Sequence, residues 1–142
     1  MHLTVHTDYA LRVLMYVGTH QDRLVNITEI SESYDISRNH LVKVVHRLST
    51  GGVLATTRGR SGGIALARPA EEIILGDVVR LTEDSFNIVE CMGDGDVQCV
   101  INDLCRLKGV LSEALGSFLS VLDKYTLADL VKQPAALKRV LG

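Results

Sequence analysis

Apolar residues recur at helical spacing along most of the chain, and short polar segments separate the helices that they predict. A first helix is predicted over residues 8–19, with Thr7 as its cap. Residues 26–29, Asn-Ile-Thr-Glu, have the pattern of a capping box and predict a second helix that ends near residue 34. Ser37 is expected to cap a third helix over residues 38–50, which ends at a Gly-Gly pair. The third helix has one apolar stripe with the spacing i, i+3, i+4, i+7, formed by Leu41, Val44, Val45 and Leu48.

Two short apolar segments after the third helix predict a β-hairpin. They cover residues 53–57 and 64–67, and the turn between them, Arg-Gly-Arg-Ser-Gly-Gly, is rich in glycine. A short helix is predicted over residues 75–82, and residues 85–105 are expected to form an irregular loop. A long amphipathic helix follows over residues 106–124. We assign its apolar residues to one side of that helix: Leu107, Val110, Leu111, Leu115, Phe118, Leu119 and Leu122.

Two helices that are joined by a tight turn and followed by a hairpin form a winged helix-turn-helix. We therefore expect a mainly α fold with a small β wing and a long dimerisation helix. The expected organisation is a DNA-binding domain over residues 1–84, a cysteine-containing loop over residues 85–105, and the dimerisation helix with a C-terminal tail over residues 106–142. The long helix, about 28 Å at 1.5 Å per residue, suits a homodimer whose third helices read successive major grooves of a palindromic DNA operator.

Charge is distributed unevenly, although the formal net charge of the 142-residue chain is only −2. Residues 36–70 contain six basic side chains and no acidic one, whereas residues 71–105 contain nine acidic side chains and one basic one. A basic stretch favours an anionic partner such as DNA, although a solvated surface would have the same composition. In a winged helix-turn-helix the third helix enters the major groove, and arginines at the wing tip can reach a minor groove. The candidate DNA-binding residues are Thr28, Ser37, Arg38, Asn39, His40, Lys43, Arg47, Arg58 and Arg60.

Three cysteines follow in the predicted loop, at Cys91, Cys99 and Cys105, with the spacing C-x7-C-x5-C. Thiolates are the usual ligands of iron–sulfur clusters, and zinc is a second option. No histidine follows His46, so a zinc site with three cysteines and one histidine would need a distant ligand. Three unrelated thiols would also fit the spacing, some of them buried and inert.

Several other classes of protein do not fit this sequence. It contains no C-x-x-C redox pair, no P-loop and no G-x-S-x-G element, so we do not expect an enzyme. Its apolar runs are far shorter than the ~20 residues that cross a bilayer, so we expect no membrane partner. The first ten residues lack the basic start and apolar stretch of a signal peptide, and we expect a cytoplasmic location.

Over essentially its whole length the sequence resembles the Rrf2 family of winged-helix iron–sulfur transcription regulators, and within it the nitric-oxide-sensing repressors. The likeness lies in LTVHTDYALRVLMYV at the start, in ISRNHLVKVVHRLS at the third helix, and in the cysteine loop. The resemblance implies that Cys91, Cys99 and Cys105 hold a [4Fe-4S] or [2Fe-2S] cluster. It also implies that Asp8 of the partner subunit completes the ligand shell, with His2 and His6 as alternatives.

By the same resemblance, nitric oxide reacts with the cluster, the protein releases its operator, and nitrosative-stress genes are derepressed. An alternative within the family is a regulator that responds to iron or to iron–sulfur status. The seven-residue gap after Cys91 and the preceding VVRLTEDSF also resemble the iron-responsive members, although the third helix does not. A further group of members uses a histidine ligand after the third cysteine, and this sequence has none there.

Overall fold

The first helix begins earlier than predicted, because Thr4 and not Thr7 caps it. In the computed structural model, which describes residues 2–93, 95 and 98–142, α1 spans Val5–Thr19. Thr4 Oγ1 accepts a hydrogen bond from the backbone N–H of Thr7 at 3.3 Å. Glu83 Oε1 in turn accepts hydrogen bonds from the backbone N–H and the hydroxyl of Thr4, at 2.7 and 3.0 Å. The cap therefore joins the start of α1 to a segment far along the chain, while the Thr7 side chain is buried.

The second helix, α2, spans Ile27–Tyr34, and its predicted capping box is formed. The backbone N–H of Thr28 donates to Asn26 Oδ1 at 2.9 Å, and the backbone N–H of Asn26 donates to Glu29 Oε1 at 2.8 Å. The Arg23 guanidinium donates to the same carboxylate at 2.6 and 3.1 Å and holds the pKa of Glu29 below its usual value. The start of α2 is thus fixed by a charged side chain on either side of the cap.

The third helix, α3, has the predicted bounds Arg38–Thr50 and the predicted cap. Asp35 ends α2 in the left-handed conformation, with φ at 53°, and so makes the tight turn before α3. Ser37 Oγ then accepts a hydrogen bond from the backbone N–H of His40 at 3.4 Å. The predicted stripe is buried and packs against α1 and α2: Leu41, Val44, Val45 and Leu48.

The wing is a two-stranded antiparallel sheet, in which β1 spans Leu54–Thr57 and β2 spans Gly63–Leu66. The register pairs the first residue of β1 with the last of β2. A Cβ at Gly62 would collide with the carbonyl oxygen of Thr57, so the return of the chain at the wing tip requires glycine there. Val25 and Ile64 exchange backbone hydrogen bonds at 2.8 and 2.9 Å, which anchors the wing beside α2.

Four further helices complete the fold. The described helices after the wing are α4 at Leu75–Thr82, α5 at Arg106–Leu122, α6 at Leu127–Leu130 and α7 at Pro134–Leu141. The first of these has the predicted bounds, and α5 ends two residues before the predicted end. The predicted loop over residues 85–105 is irregular apart from short 3-10 turns, and its residues 94, 96 and 97 lie outside the described residues. The mainly α fold with a small β wing is confirmed.

The apolar residues of α5 do not share one side, as the sequence suggested, but divide between two faces. Leu111, Leu115 and Phe118 are half-buried, and the last two line a cavity with Leu3 and Glu83, whereas Leu107 is 60% exposed and Val110 is 59% exposed. A bidentate ion pair between Arg80 and Asp123, at 2.6 and 2.8 Å, fixes the end of α5 to α4. Within the described residues, no helix is long and apolar enough to cross a membrane.

The two tail helices, which the sequence did not predict, pack back on the first unit. Leu127 of α6 is completely buried, and its backbone N–H donates to the carbonyl oxygen of Ile73 at 2.8 Å. Gly18 of α1 allows this approach, because a Cβ there would lie 3.2 Å from the Leu127 side chain. Ser33 Oγ of α2 donates to the carbonyl oxygen of Leu141 at 2.7 Å. The tail therefore belongs to the core that positions α1.

Replacing Leu127 with alanine should lower the free energy of unfolding by about 2–5 kcal/mol, because the change opens a cavity between the tail and α1. Urea denaturation followed by circular dichroism measures the loss. The control is Leu130→Ala in the same helix, where the side chain is 38% exposed and the expected cost is about 1 kcal/mol. Equal losses for the two variants would contradict the placement of the tail in the core.

Candidate DNA interface and cysteine loop

The face of α3 opposite the buried stripe is open to solvent. Its centre is a row of exposed polar side chains with the spacing i, i+4, i+7, i+11: Asn39, Lys43, His46 and Thr50. The exposed Arg38, His40 and Arg47 flank this row. The sequence predicts DNA contacts for Asn39 and Lys43 but not for His46 and Thr50, although the same helical spacing, continued to the end of α3, leads to both.

The first turns of α2 and α3 present the two hydroxyl side chains of the predicted set. Ser37 is exposed at the cap of α3, and Thr28 is half-buried in the first turn of α2. Backbone N–H groups at a helix start favour phosphate, so both positions suit a contact to a DNA backbone. The first turn of α3 contains no acidic residue that would oppose such a contact.

Arg58 and Arg60 lie at the tip of the wing, between the paired ends of β1 and β2, and both are exposed. The exposed face of α3 and the wing tip together hold six of the predicted residues, five of which are lysine or arginine: Arg38, His40, Lys43, Arg47, Arg58 and Arg60. These groups can donate to phosphate oxygens and to guanine edges.

Two contacts fix the third helix to its neighbours. Arg47 Nε donates to the carbonyl oxygen of Leu81, at the end of α4, at 2.8 Å. The His40 ring lies 6.0 Å from the ring of Tyr9 on α1, measured between centroids. Arg47 therefore positions α3 as well as offering charge, because only one of its three nitrogens is used in this bond.

Asp8, the proposed fourth ligand, lies on the outer face of α1. Its carboxylate pairs with Arg12, one turn later, at 2.8 Å. The Arg12 guanidinium lies 6.0 Å from the ring centroid of Tyr9 and 5.9 Å from that of Tyr34. The alternative ligands differ in accessibility, since His2 is exposed and His6 is half-buried.

All three cysteines carry free thiols. Cys91 and Cys105 are half-buried, the latter as the residue directly before α5, and Cys99 is exposed. Across residues 2–93, 95 and 98–142, no three His, Cys, Asp or Glu side chains lie close enough together to hold one metal ion. The donor set suits iron–sulfur chemistry, but the described side chains are not gathered at one point.

A family model described as "Rrf2: Iron-dependent Transcriptional regulator" matches residues 3–133. The chain belongs to the Rrf2 family. This Rrf2 regulator is 51% identical over 142 residues to the HTH-type transcriptional regulator NsrR of Bacillus subtilis (strain 168), covering 99% of this chain and 97% of the relative. It is 46% identical to the NsrR of Bacillus licheniformis, over the full length of both chains.

The solved structure of IscR from T. potens has the same fold as this Rrf2 regulator. The TM-score is 0.73 at 25% identity, and the match covers 93% of this chain and 87% of that one. The predicted family is therefore confirmed, and the chain is a DNA-binding transcription regulator. Its relatives are regulators of transcription, which are not enzymes.

Replacing Lys43 and Arg58 with alanine should weaken binding to duplex DNA and flatten its salt dependence. Each cation that neutralises a phosphate contributes about 0.9 to the slope of log affinity against log salt, so the double variant should lose roughly 2. Fluorescence anisotropy at several salt concentrations measures the slope. Lys124→Ala, which removes an exposed charge beyond the end of α5, is the control. An unchanged slope in the double variant would contradict the docking described above.

Proposed function

We propose that this Rrf2 regulator is a homodimeric repressor that binds a palindromic operator, holds an iron–sulfur cluster in its cysteine loop, and releases DNA when nitric oxide is present. The observation that carries the proposal is the pairing of an exposed basic α3 face with three free thiols on one chain. Relatives named NsrR and the family's description as iron-dependent support it. A regulator of this kind acts on DNA in the cytoplasm.

DNA binding rests on α3 and the wing. Residues 36–70, which include both, contain no carboxylate, so the field over this surface is positive in a protein of net charge −2. The residues that we propose to contact DNA are Thr28, Ser37, Arg38, Asn39, His40, Lys43, Arg47, Arg58 and Arg60. Side chains in the first turns of α3 are the ones that meet base edges, and the others position the protein on phosphate.

Dimerisation rests on the outer face of α5. Exposed residues recur there at heptad spacing, which is the spacing of a helix that packs along a second helix. The exposed apolar surface continues back into the cysteine loop, where Val100 and Leu104 are 99% and 89% exposed. A second copy of the chain would cover both. The heptad row consists of Leu107, Val110, Ala114, Ser117 and Val121.

This assignment gives three functional units. Residues 1–84 read DNA, residues 85–105 hold the cluster, and residues 106–142 contain the dimer helix and the tail. The tail also supports α1, so the third unit is tied to the first.

The cluster ligands would be Cys91, Cys99 and Cys105, as a [4Fe-4S] or [2Fe-2S] centre. Three free thiols suit iron and sulfide, and they leave the fourth position of a four-ligand centre for another donor. Cys99 is exposed and the other two are half-buried, so the loop has to bring Cys99 inward to complete the set. When bound, the cluster supplies iron that reacts with nitric oxide.

The fourth ligand would be Asp8 of the partner subunit, with His2 and His6 as alternatives. In the structure Asp8 is paired with Arg12, so ligation requires the carboxylate to leave that guanidinium. Arg12 contacts Tyr9, and the Tyr9 ring faces His40 at the start of α3. A change in the partner of Asp8 is therefore transmitted through two side-chain contacts to the DNA-reading helix.

A regulator of iron or iron–sulfur status is the second candidate. The family description names iron as the dependence, and the three thiols would serve either signal. In that case loss of iron, and not nitric oxide, changes the affinity for DNA.

Nitric oxide added to the anaerobically purified protein should bleach a visible absorption band and release a bound operator fragment over the same range of concentration. Absorption, iron and sulfide analysis and anisotropy on genomic DNA fragments measure the two changes together. Cys99→Ala should be colourless, because one of three thiol ligands is missing. Far-ultraviolet circular dichroism confirms that the variant is folded.

A band that resists nitric oxide but disappears on iron chelation, with loss of DNA binding, would favour the iron-status regulator. A colourless protein from anaerobic cells, or a Cys99→Ala variant with the full spectrum, would contradict the cluster assignment.

Replacing Val110 with glutamate should convert the dimer to monomer, because two like charges would face each other across the α5 seam. Sedimentation velocity of the full chain measures the change. The matched control is Val140→Glu on α7, at a side chain that is 84% exposed but lies outside the seam. Dissociation by both variants, or by neither, would contradict the assignment of α5 as the dimer helix.

A further inference from the structure

We infer that a cleft between α1, α3 and the end of α4 binds a backbone phosphate of the operator, and that Asp84 limits the strength of this contact. The inference rests on the proposed DNA-binding function and adds a site to it. The cleft has a volume of about 340 Å³ and lies beside the C-terminal half of α3. Its lining consists of His6, Lys43, His46, Arg47, Thr50, Thr82 and Asp84.

The donors of the cleft are Lys43, Arg47 and the imidazoles of His6 and His46. Arg47 uses Nε to bond the carbonyl oxygen of Leu81, and its two terminal nitrogens have no hydrogen-bond partner among the described residues. The hydroxyls of Thr50 and Thr82 donate hydrogen bonds within their own helices, to the carbonyl oxygens of His46 and Val78, both at 2.9 Å. Neither hydroxyl proton is therefore available to a ligand in the cleft. The groups that remain to donate are those that bind phosphate in other proteins.

His46 lies on the ridge between two clefts. On one side it lines the basic cleft with Lys43 and Arg47. On the other side it lines a groove between α3 and the wing, with Val42 and Thr56 among the neighbours. A DNA strand that lies along the exposed row of α3 would therefore contact His46. The imidazole donates a hydrogen bond in either tautomer.

The position along α3 favours phosphate over a base edge. The first turns of a recognition helix meet the bases, and its later turns leave the groove towards the backbone. The cleft lies at those later turns, since its contacts on α3 run from Lys43 to Thr50. It offers no metal site within the described residues.

Asp84 is the carboxylate that lines this cleft, and it opposes an anion there. No ion pair joins it to Lys43 or Arg47 in the part of the chain that the structure describes, so its charge is not neutralised locally. A phosphate that enters the cleft meets two cations and this one anion. Removing the anion should therefore strengthen binding, which a merely structural residue would not do.

The decisive variant is Asp84→Asn in the full-length protein. It should tighten binding to operator and to random duplex DNA by a similar factor, about three- to tenfold at 0.1 M salt, because a phosphate contact carries no sequence information. Glu71→Gln makes the same change in net charge at an exposed residue outside the cleft and should leave the affinity unchanged. An Asp84→Asn affinity equal to that of Glu71→Gln would overturn the inference.

Arg47→Gln and His46→Phe test the donors. Arg47→Gln should reduce the salt slope by about 1, and His46→Phe should weaken binding because it removes a hydrogen-bond donor and keeps a ring of similar shape. Inorganic phosphate, compared with chloride at equal ionic strength, should weaken wild-type binding to DNA because it competes for the cleft, and Arg47→Gln should remove this extra effect. A salt slope that Arg47→Gln leaves unchanged would overturn the inference.

The proposed DNA binding and the phosphate site in the cleft can be contradicted separately. A wild-type chain that binds no duplex contradicts the proposed function. A wild-type chain that binds DNA and depends on Lys43, but does not respond to Asp84→Asn, contradicts only the cleft.

Discussion

The packing of α1 against α3 is the contact on which the other parts depend. Ala10, Val13 and Leu14 of α1 are completely removed from solvent, and the buried stripe of α3 lies in the same core. The tail helix α6 packs on the far end of α1, and the cap at Thr4 ties its start to Glu83 after α4. One helix thus carries contacts to the DNA-reading unit, to the tail and to the segment that leads into the cysteine loop. Because a close-packed core transmits strain, a displacement of α1 is expected to carry α3 with it.

This constraint gives the outer face of α1 its importance. Asp8 and Arg12 lie on the solvent side of the helix whose inner side is locked to α3, and the Arg12 guanidinium reaches Tyr9 and Tyr34. A change in the partner of Asp8 can alter the exposed surface of α3 without moving the core. In the proposed mechanism it needs only to change the Tyr9–His40 contact, at the first turn of α3, where we propose that base edges are read. An exposed ion pair contributes little to stability, so it can be broken at low cost by a competing ligand.

The local signals in the sequence were sufficient for the helix-turn-helix and the wing. These signals act within a few residues: the caps at Asn26 and Ser37, the Gly-Gly pair after α3 and the glycine-rich turn of the wing. The observed helices and strands agree with them. The sequence predicts the cap of α1 at Thr7 and not at Thr4, because the Glu83 carboxylate that holds Thr4 is 79 residues away. The four- and eight-residue helices of the tail were missed because tertiary contacts at Leu127 and Leu141 hold them. In the sequence, the apolar residues of α5 form one amphipathic pattern. The folded structure shows which of them are half-buried and which are exposed.

The charge pattern along the chain also acquires its meaning only in three dimensions. The acidic segment that follows the wing brings Glu83 and Asp84 to the edge of the basic surface. Partial burial raises the pKa of Glu83, but hydrogen bonds from Thr7 and Thr4 lower it by more, so this carboxylate stays ionised and holds Thr4, the cap of α1. Asp84, the next residue, has no such partner in the described structure and lines the same cleft as Lys43 and Arg47. Two adjacent carboxylates therefore act in different ways. Glu83 fixes the start of α1, the helix that α3 packs against, and in our proposal Asp84 lowers the affinity of α3 for DNA. A repressor that must release its operator gains from the second, because binding that is too strong would not respond to a signal.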